Sequence, residues 1–486
     1  MTKARVDPSQ IEALTVPSSG DLRDAARAIS AGFVGAAFVV DNETDKFIRV
    51  ITDGDLRRAL LQKLDADSLI TKLPDDRSVV GRVGMSAEEI SGLFSDSVRV
   101  IPLLDNDNRV VDMAVFDSRM YLPTAEPYFD EKELKYVTEA VSSGWVSSAG
   151  KFIGKFEEAF SRFVGSEFAV SCSSGTAALH LALKAFDIGA GDEVIVPTLT
   201  FIATASSVVH AGATPVFADS EIKTLNIDPE KIEQCISERT KAIIVVHLYG
   251  HPADMDPIVK IAKRHNLIVI EDAVEAHGAR YKGRMVGSIG DIATFSFYGN
   301  KVITTGEGGL VVTNRGDIAE RVRLLRDHGM DRSKGYWHPV LGFNYRMTNM
   351  QAALGVAQME KITEIIQRKR MLAKGYSELL HELPGLTTPK EMDWATHIYW
   401  LYTILIDNHV SPVNRDALVR GLVDNGIDAR PVFVPMHKQP IFDSGGKFPT
   451  AEKISQQGLT LPSSVNLLEV DQLRVGNTIQ ALFLAK

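Results

Sequence analysis

Lys301, at the end of Thr294-Phe295-Ser296-Phe297-Tyr298-Gly299-Asn300-Lys301, is the residue with the most chemistry to offer. It follows an apolar run and lies among small and aromatic residues, so it can be desolvated enough for its pKa to fall and its amine to become nucleophilic. Read alone, a lysine near a turn is a solvated surface charge. Two further segments bear on it. Val269-Ile270-Glu271-Asp272-Ala273 puts Asp272 at the carboxyl end of a buried strand, where open α/β sheets place their ligands. A carboxylate there either caps the next helix or needs a cation. A pyridinium nitrogen is such a partner, and Asp272 would keep it protonated so that the ring stays an electron sink. Ser173-Ser174-Gly175-Thr176-Ala177-Ala178 follows the strand Phe168 to Val170 and opens a helix with Leu179, Leu183 and Phe186 on one face. Its small residues leave backbone N–H groups free at a helix N-terminus, which suits a phosphate, although such a segment can also be a plain tight turn. Ser296, five residues before Lys301, could donate to the same phosphate. The three segments converge on one cofactor.

The elements that must position them alternate along the chain. Apolar strands are expected at Glu193 to Val196, Pro215 to Ala218, Ala242 to Val246, Leu267 to Ile270, Ala293 to Phe297 and Leu310 to Thr313. Val/Ile runs of this kind between helices predict a mostly parallel sheet covered on both faces. Ahead of them, Asp130-Glu131-Lys132-Glu133 reads as a capping box for a helix to Val141 that Gly144 ends, and Phe156, Phe160 and Phe163 make a second apolar stripe. After about Arg370 a smaller α/β lobe follows, with a strand Leu401 to Ile406 and a helix Arg415 to Val423.

The N-terminal segment reads as a separate small α/β unit with an internal repeat. Helix Leu22 to Ile29, strand Ala36 to Val40, the turn Asp41 to Asp45, strand Phe47 to Ile51 and helix Leu56 to Leu61 have a weaker copy. The copy is helix Ala87 to Phe94, strand Val98 to Leu104, the turn Asp105 to Asn108 and strand Val110 to Phe116. The segment Ile51-Thr52-Asp53-Gly54-Asp55-Leu56 resembles the end of a CBS motif, in which a Thr and an Asp three residues later hold a nucleotide ribose; Thr52 and Asp55 match. The same pair also reads as a helix N-cap and first-turn acid. The second copy ends Val115-Phe116-Asp117-Ser118-Arg119-Met120 and lacks the Thr-x-x-Asp pattern.

From Tyr121 onward the chain closely resembles the DegT/DnrJ/StrS nucleotide-sugar aminotransferases. The matching segments include SGWVSSAGKFIGKFEEAF, SSGTAALHLAL, DEVIVPTLTFIATASSV, EDAVEAHGA, FSFYGNKVITTGEGG, LGFNYRMTNMQAALG and GIDARPVFVPMHKQP. The resemblance implies a type I pyridoxal-phosphate (PLP) aminotransferase fold: a mostly parallel seven-stranded sheet plus a small C-terminal α/β lobe, here preceded by a CBS-like domain. The expected divisions are 1–120, 121–370 and 371–486. Position by position it makes Lys301 the Schiff-base lysine and proton shuttle, Asp272 the partner of the pyridine nitrogen, and Glu275 the neighbour of the ring's 3-hydroxyl. Ser174, Gly175, Thr176 and Ser296 match phosphate-binding positions, and Phe201 matches the aromatic residue stacked on the ring. Asn344 and Arg346 are both candidates for the residue that crosses from a neighbouring subunit to the phosphate, which implies a homodimer. His328, His437 and Arg430 are candidates to face the substrate; each also reads as a structural or surface residue.

Related sugar dehydratases replace the lysine with histidine, so Lys301 favours transamination. The run FSFYGNKVITTGEGG is most similar to the perosamine-synthase branch, which implies glutamate as donor and a GDP-linked 4-keto-6-deoxy sugar as acceptor. Another keto sugar, or a CBS-regulated PLP protein that senses rather than turns over, stay open at this point. An adenine nucleotide is the expected ligand of the CBS-like unit.

Composition narrows the remaining classes. A net charge of −9 with no basic stripe argues against nucleic-acid binding. The two cysteines, Cys172 and Cys235, have no metal-ligand spacing, and no metal is expected. The start lacks an apolar leader and no run is long enough to span a membrane, so a cytoplasmic location is the expectation.

Overall fold

The computed structural model describes residues 8–32, 34–74, 78–85, 89–90, 92–95, 98–115, 121–442 and 445–484. The chain divides into two compact units, Met1–Tyr121 and Leu122–Lys486.

The larger unit is built on a seven-stranded sheet. In chain order its strands are β1 (Phe168–Cys172), β2 (Glu193–Pro197), β3 (Thr214–Ala218), β4 (Thr240–Val246), β5 (Ile268–Asp272), β6 (Ile292–Ser296) and β7 (Gly309–Thr313). They lie in the order β1-β7-β6-β5-β4-β2-β3. Pairings from β6 across to β3 are parallel, whereas β7 runs antiparallel to both of its neighbours. Every residue of β2, β6 and β7 is buried, as a sheet covered on both faces requires.

Two of the covering helices explain how the sheet edge is held. Helix α1 (Glu131–Ser142) starts in the expected capping box, with Asp130 as N-cap and Glu133 reaching back. Helix α2 (Lys151–Val164) buries Phe152, Phe156, Phe160 and Val164, so its stripe starts one turn earlier than expected and Phe163 is only partly covered. Phe160 meets Phe295 edge-on at 4.8 Å between centroids, and Phe156 meets Phe297 at 5.0 Å. These rings clamp the end of β6 just ahead of Lys301. Phe297, expected inside the strand, lies past its end and donates its N–H to Gly308 O at 2.9 Å.

A helix at Ile362–Leu380 runs unbroken across the expected division at 370/371 and leads into the small lobe. That lobe carries an antiparallel four-stranded sheet ordered Leu386–Thr387, Tyr402–Ile406, Gly458–Leu461, Arg430–Pro431. Helices Arg415–Asp424 and Glu469–Leu484 pack with it in one apolar cluster.

The N-terminal unit shows the repeat in its backbone. Thr15–Pro17, Ala36–Val40 and Phe47–Thr52 form one three-stranded sheet; Gly81–Arg82, Val100–Leu104 and Val110–Val115 form another. In both, the first pairing is parallel and the second antiparallel. Helices Leu22–Gly32 and Asp53–Leu61 complete the first copy. Part of the expected helix Ala87 to Phe94, and Phe116 to Met120, lie outside the described residues.

One buried cation sits far from any motif. Lys369 is 5% exposed and gives its ammonium a single acceptor, Ser463 O at 2.6 Å. Burial pulls its pKa down to about 7. The unfolded chain keeps this proton to about pH 10.4, so between the two values the unfolded state binds more protons and stability rises with pH. Lys369→Met should therefore be most stabilising below pH 7, and its advantage should shrink by about 2 kcal/mol by pH 9, as read from thermal or denaturant melts of both proteins.

Candidate active site

The carboxyl ends of β1, β5 and β6 open on one cavity of about 410 Å³. Ser174, Gly175, Thr176, Phe201, Asp272, Glu275, Ser296, Lys301 and Arg430 all line it, although they are scattered over more than half of the chain's larger unit.

Helix α3 (Gly175–Ala185) begins directly beyond β1. Ser174 is its N-cap and accepts from Ala177 N–H at 3.1 Å. The N–H groups of Gly175 and Thr176 have no acceptor among the described residues, so the free donors of the helix point to an anion. Gly175 is dictated by contact: a Cβ there would lie 2.7 Å from the Cβ of Ser296, so only glycine lets α3 approach the end of β6.

Asp272, the last residue of β5, is 2% exposed. Burial raises its carboxyl pKa, and the main compensating contact is the hydroxyl of Thr204, which donates at 2.8 Å. Thr204 is backed by Thr200 at 2.9 Å. A buried carboxylate with one hydroxyl donor and, among the described residues, no cation in hydrogen-bond contact matches a protonated ring nitrogen. Phe201 is the N-cap of helix α4 (Ile202–His210), is 52% exposed and lines the cavity, so an aromatic face is available for a ring.

Lys301 sits across from Asp272. Burial lowers its pKa, and the carboxylates of Glu275 and Asp272 oppose that shift. Its Nζ is 3.6 Å from Glu275 Oε1. Glu275 accepts from Tyr249 N–H at 2.8 Å, and burial pushes its carboxyl up to about 7. His277, in the same segment, is kept neutral by burial, its pKa pushed down to about 3. The pocket therefore offers a poorly solvated amine, a phosphate-sized anion site, a buried carboxylate and a stacking face. Those four features fit pyridoxal phosphate.

The comparisons with known proteins agree. The profile of the DegT/DnrJ/EryC1/StrS aminotransferase family matches residues 127–480, and that of the CBS domain matches residues 8–62. The chain belongs to the DegT/DnrJ/EryC1/StrS aminotransferase family. It is 48% identical over 357 residues to GDP-perosamine synthase of Caulobacter vibrioides, covering 73% of this chain and 96% of that protein. GDP-perosamine synthase of Escherichia coli O157:H7 is 44% identical over 364 residues, covering 75% and 99%. Among solved structures, the aminotransferase TlmJ from Streptoalloteichus hindustanus superposes with a TM-score of 0.72 at 30% identity, over 75% of this chain and 99% of that one. The PLP form of the putative sugar aminotransferase Spr1654 from Streptococcus pneumoniae does so at 0.71 and 26%, over 74% and 98%. The fold is the PLP aminotransferase fold of the family, and PLP is its cofactor.

Several expected residues lie elsewhere. His437 is 3% exposed and locked between Thr198 Oγ1 at 2.7 Å and Glu452 Oε1 at 3.1 Å, with Phe448 against its ring; it supports the wall and does not line the cavity. His328, Asn344 and Arg346 gather around Asp327, which accepts from Arg346 Nη1 at 2.8 Å, and none of them lines this chain's own cavity. Arg430 does line it, braced by Asp428 at 2.9 Å. In the N-terminal unit Asp55 accepts from the N–H and the hydroxyl of Thr52, both at 2.8 Å, and pairs with Arg58 at 2.6 Å. Asp55 thus caps the Thr52 N–H from the first turn of the helix, while the Thr52 hydroxyl is spent on the same carboxylate.

Thr204, Tyr298, Glu307, Trp400 and Phe433 also line the cavity and were not anticipated. Thr204 alone carried a signal, standing one helical turn after Phe201. Thr204→Val should leave the fold intact and weaken retention of PLP about tenfold in equilibrium dialysis, because a hydrogen bond to a charged group is lost.

Proposed function

We propose that this protein moves an amino group from glutamate to the keto carbon of a GDP-linked 4-keto-6-deoxy sugar, in the cytoplasm, for surface-polysaccharide or glycan synthesis. The observation that carries the proposal is the placement of Lys301, a desolvated amine facing Asp272 and Glu275 beside the free end of α3. The similarity to two GDP-perosamine synthases supports the sugar. PLP, when bound, supplies an electron sink that lowers the cost of removing a proton from the carbon bearing nitrogen.

The chain's own groups do the rest. Asp272 would hold the ring nitrogen's proton; Gly175 N–H, Thr176 N–H, Ser174 and Ser296 would bind the phosphate; Phe201 would offer its face to the ring. The amine of Lys301, its pKa lowered by burial, would take the proton from the substrate carbon and carry it across the cofactor site. Arg430, held in place by Asp428, receives a carboxylate or phosphate with its planar fork.

We infer a homodimer with shared sites. Asn344 and Arg346 do not line the chain's own cavity, and between them and Asp327 the segment exposes Tyr336, Trp337 and Leu341 at 95%, 59% and 96%. Apolar exposure on that scale calls for a covering surface. In the N-terminal unit, an adenosine ribose at Asp55 would take the place of Arg58.

The deciding assay offers glutamate and a panel of keto sugar nucleotides to the purified protein. Turnover should be greatest with the GDP-linked 4-keto-6-deoxy sugar, and Lys301→Ala should lose at least a thousandfold in rate. Faster turnover with a sugar on another nucleotide overturns the substrate; activity retained in Lys301→Ala overturns the mechanism. Mixing inactive Lys301→Ala with an inactive Asn344→Ala/Arg346→Ala variant should restore activity if sites are shared. Titration with AMP and ATP should shift the melting temperature of the wild type and not of Asp55→Ala.

A further inference from the structure

Besides the Glu275 carboxylate, the Lys301 ammonium meets an aromatic face. Its Nζ stands 3.8 Å from the centroid of the Trp400 ring. The Glu275 contact, 3.6 Å, is long for a hydrogen bond. Trp400 is 4% exposed and donates its indole N–H to Asn300 O at 2.8 Å, the carbonyl immediately before Lys301. It therefore holds the lysine at both ends, the backbone through the indole nitrogen and the ammonium through the ring face.

The ring itself is fixed from behind. Tyr249 stacks on Trp400 at 6.3 Å and 17°, and on Phe433 at 5.4 Å and 22°. Phe433 in turn meets Phe201 at 5.8 Å. Tyr249 is held at φ 52°, a left-handed conformation that a bulky residue adopts only when its surroundings impose it, and its N–H is the donor to Glu275. One aromatic wall thus runs from Phe201 to Lys301, and it also orients the carboxylate beside the lysine.

We propose that Trp400 is the positioning residue for the amine of Lys301, a platform to which the ammonium returns whenever it is not bonded to the cofactor. This rests on the reading of Lys301 as the cofactor lysine. The quadrupole of the indole favours the cation without adding a full negative charge, so the amine stays attached to the pocket yet can lose its proton. The other groups facing it are Glu275 at contact distance, with Asp272 and His277 acting at longer range and Glu307 and Arg430 on the same cavity wall.

The test reads the lysine itself. Competitive acylation of the full-length, cofactor-free chain with acetic anhydride, followed by peptide mass spectrometry, gives the pH midpoint at which Lys301 becomes reactive. Trp400→Leu should lower that midpoint by about one pH unit, roughly tenfold more neutral amine at fixed pH, whereas Trp400→Phe, which keeps a ring face, should shift it much less. Replacing all four tryptophans by 5-fluorotryptophan weakens the ring's negative face without changing its shape, and should lower the midpoint in the same direction. Unchanged midpoints in Trp400→Leu and the fluorinated protein, or equal shifts in the Leu and Phe variants, overturn the proposal. A Lys301→Ala chain that still binds PLP covalently would instead overturn the reading of Lys301, and the proposal with it.

Discussion

Burial of ionisable groups at the carboxyl edge of one sheet is the constraint that organises this enzyme. Lys301, Asp272 and Glu275 are all desolvated there, and desolvation is the largest influence on each of their pKa values. It drives all three toward their neutral forms, and each opposite charge brought near drives them back. The result is a set of groups whose protonation depends on what else is in the pocket. A cationic ring nitrogen beside Asp272 would complete the pairing that the protein alone leaves unfinished.

Neighbouring carboxylates on β5 show how finely that incompleteness is placed. Glu271 and Asp272 are adjacent, so their side chains leave opposite faces of the strand. Glu271 is fully buried, yet its pKa is lowered, because it accepts from Gly287, Ile289 and Gly290 N–H and from His247 Nε2. Ala253 N–H donates to His247 Nδ1 at 3.0 Å, which leaves Nε2 to face Glu271. Asp272, one residue on, has a single hydroxyl in good hydrogen-bond contact and a raised pKa. The first carboxylate is satisfied by the fold and anchors the strand end; the second is left for a ligand. A count of acidic residues would treat the two alike, whereas their hydrogen bonds separate them.

The cofactor half of the site was legible in the sequence because its residues stand at the ends of strands, where apolar runs give way to small or charged residues. Lys301, Asp272 and the Ser174-Gly175-Thr176 turn could each be found that way, and the structure brings them into one cavity. The central strands were legible for the same reason, with their ends off by one or two residues in both directions: Phe297 lies past the ladder, whereas polar residues such as Thr240 and Asp272 extend it beyond the apolar run. Histidines were not legible. His437 has the composition of a substrate contact, but Thr198 and Glu452 occupy both ring nitrogens. Which polar side chains already have internal partners is a property of tertiary contacts, and no spacing along the chain encodes it.

Trp400 and Phe433 fall on the same side of that limit. They lie in the small lobe, more than a hundred residues from Phe201; Phe433 meets Phe201 directly, and Trp400 joins the wall because Tyr249, from the loop after β4, stacks on both Trp400 and Phe433. The small lobe is thus part of the active site in a physical sense: it supplies the apolar faces that keep water from Lys301 and Glu275. A movement of that lobe by an ångström or two would admit water to both groups and return their pKa values toward those of exposed side chains. The ring that lies against the amine is carried by the small lobe, so the desolvation that lowers the Lys301 pKa depends on contacts made by that lobe as well as by the sheet.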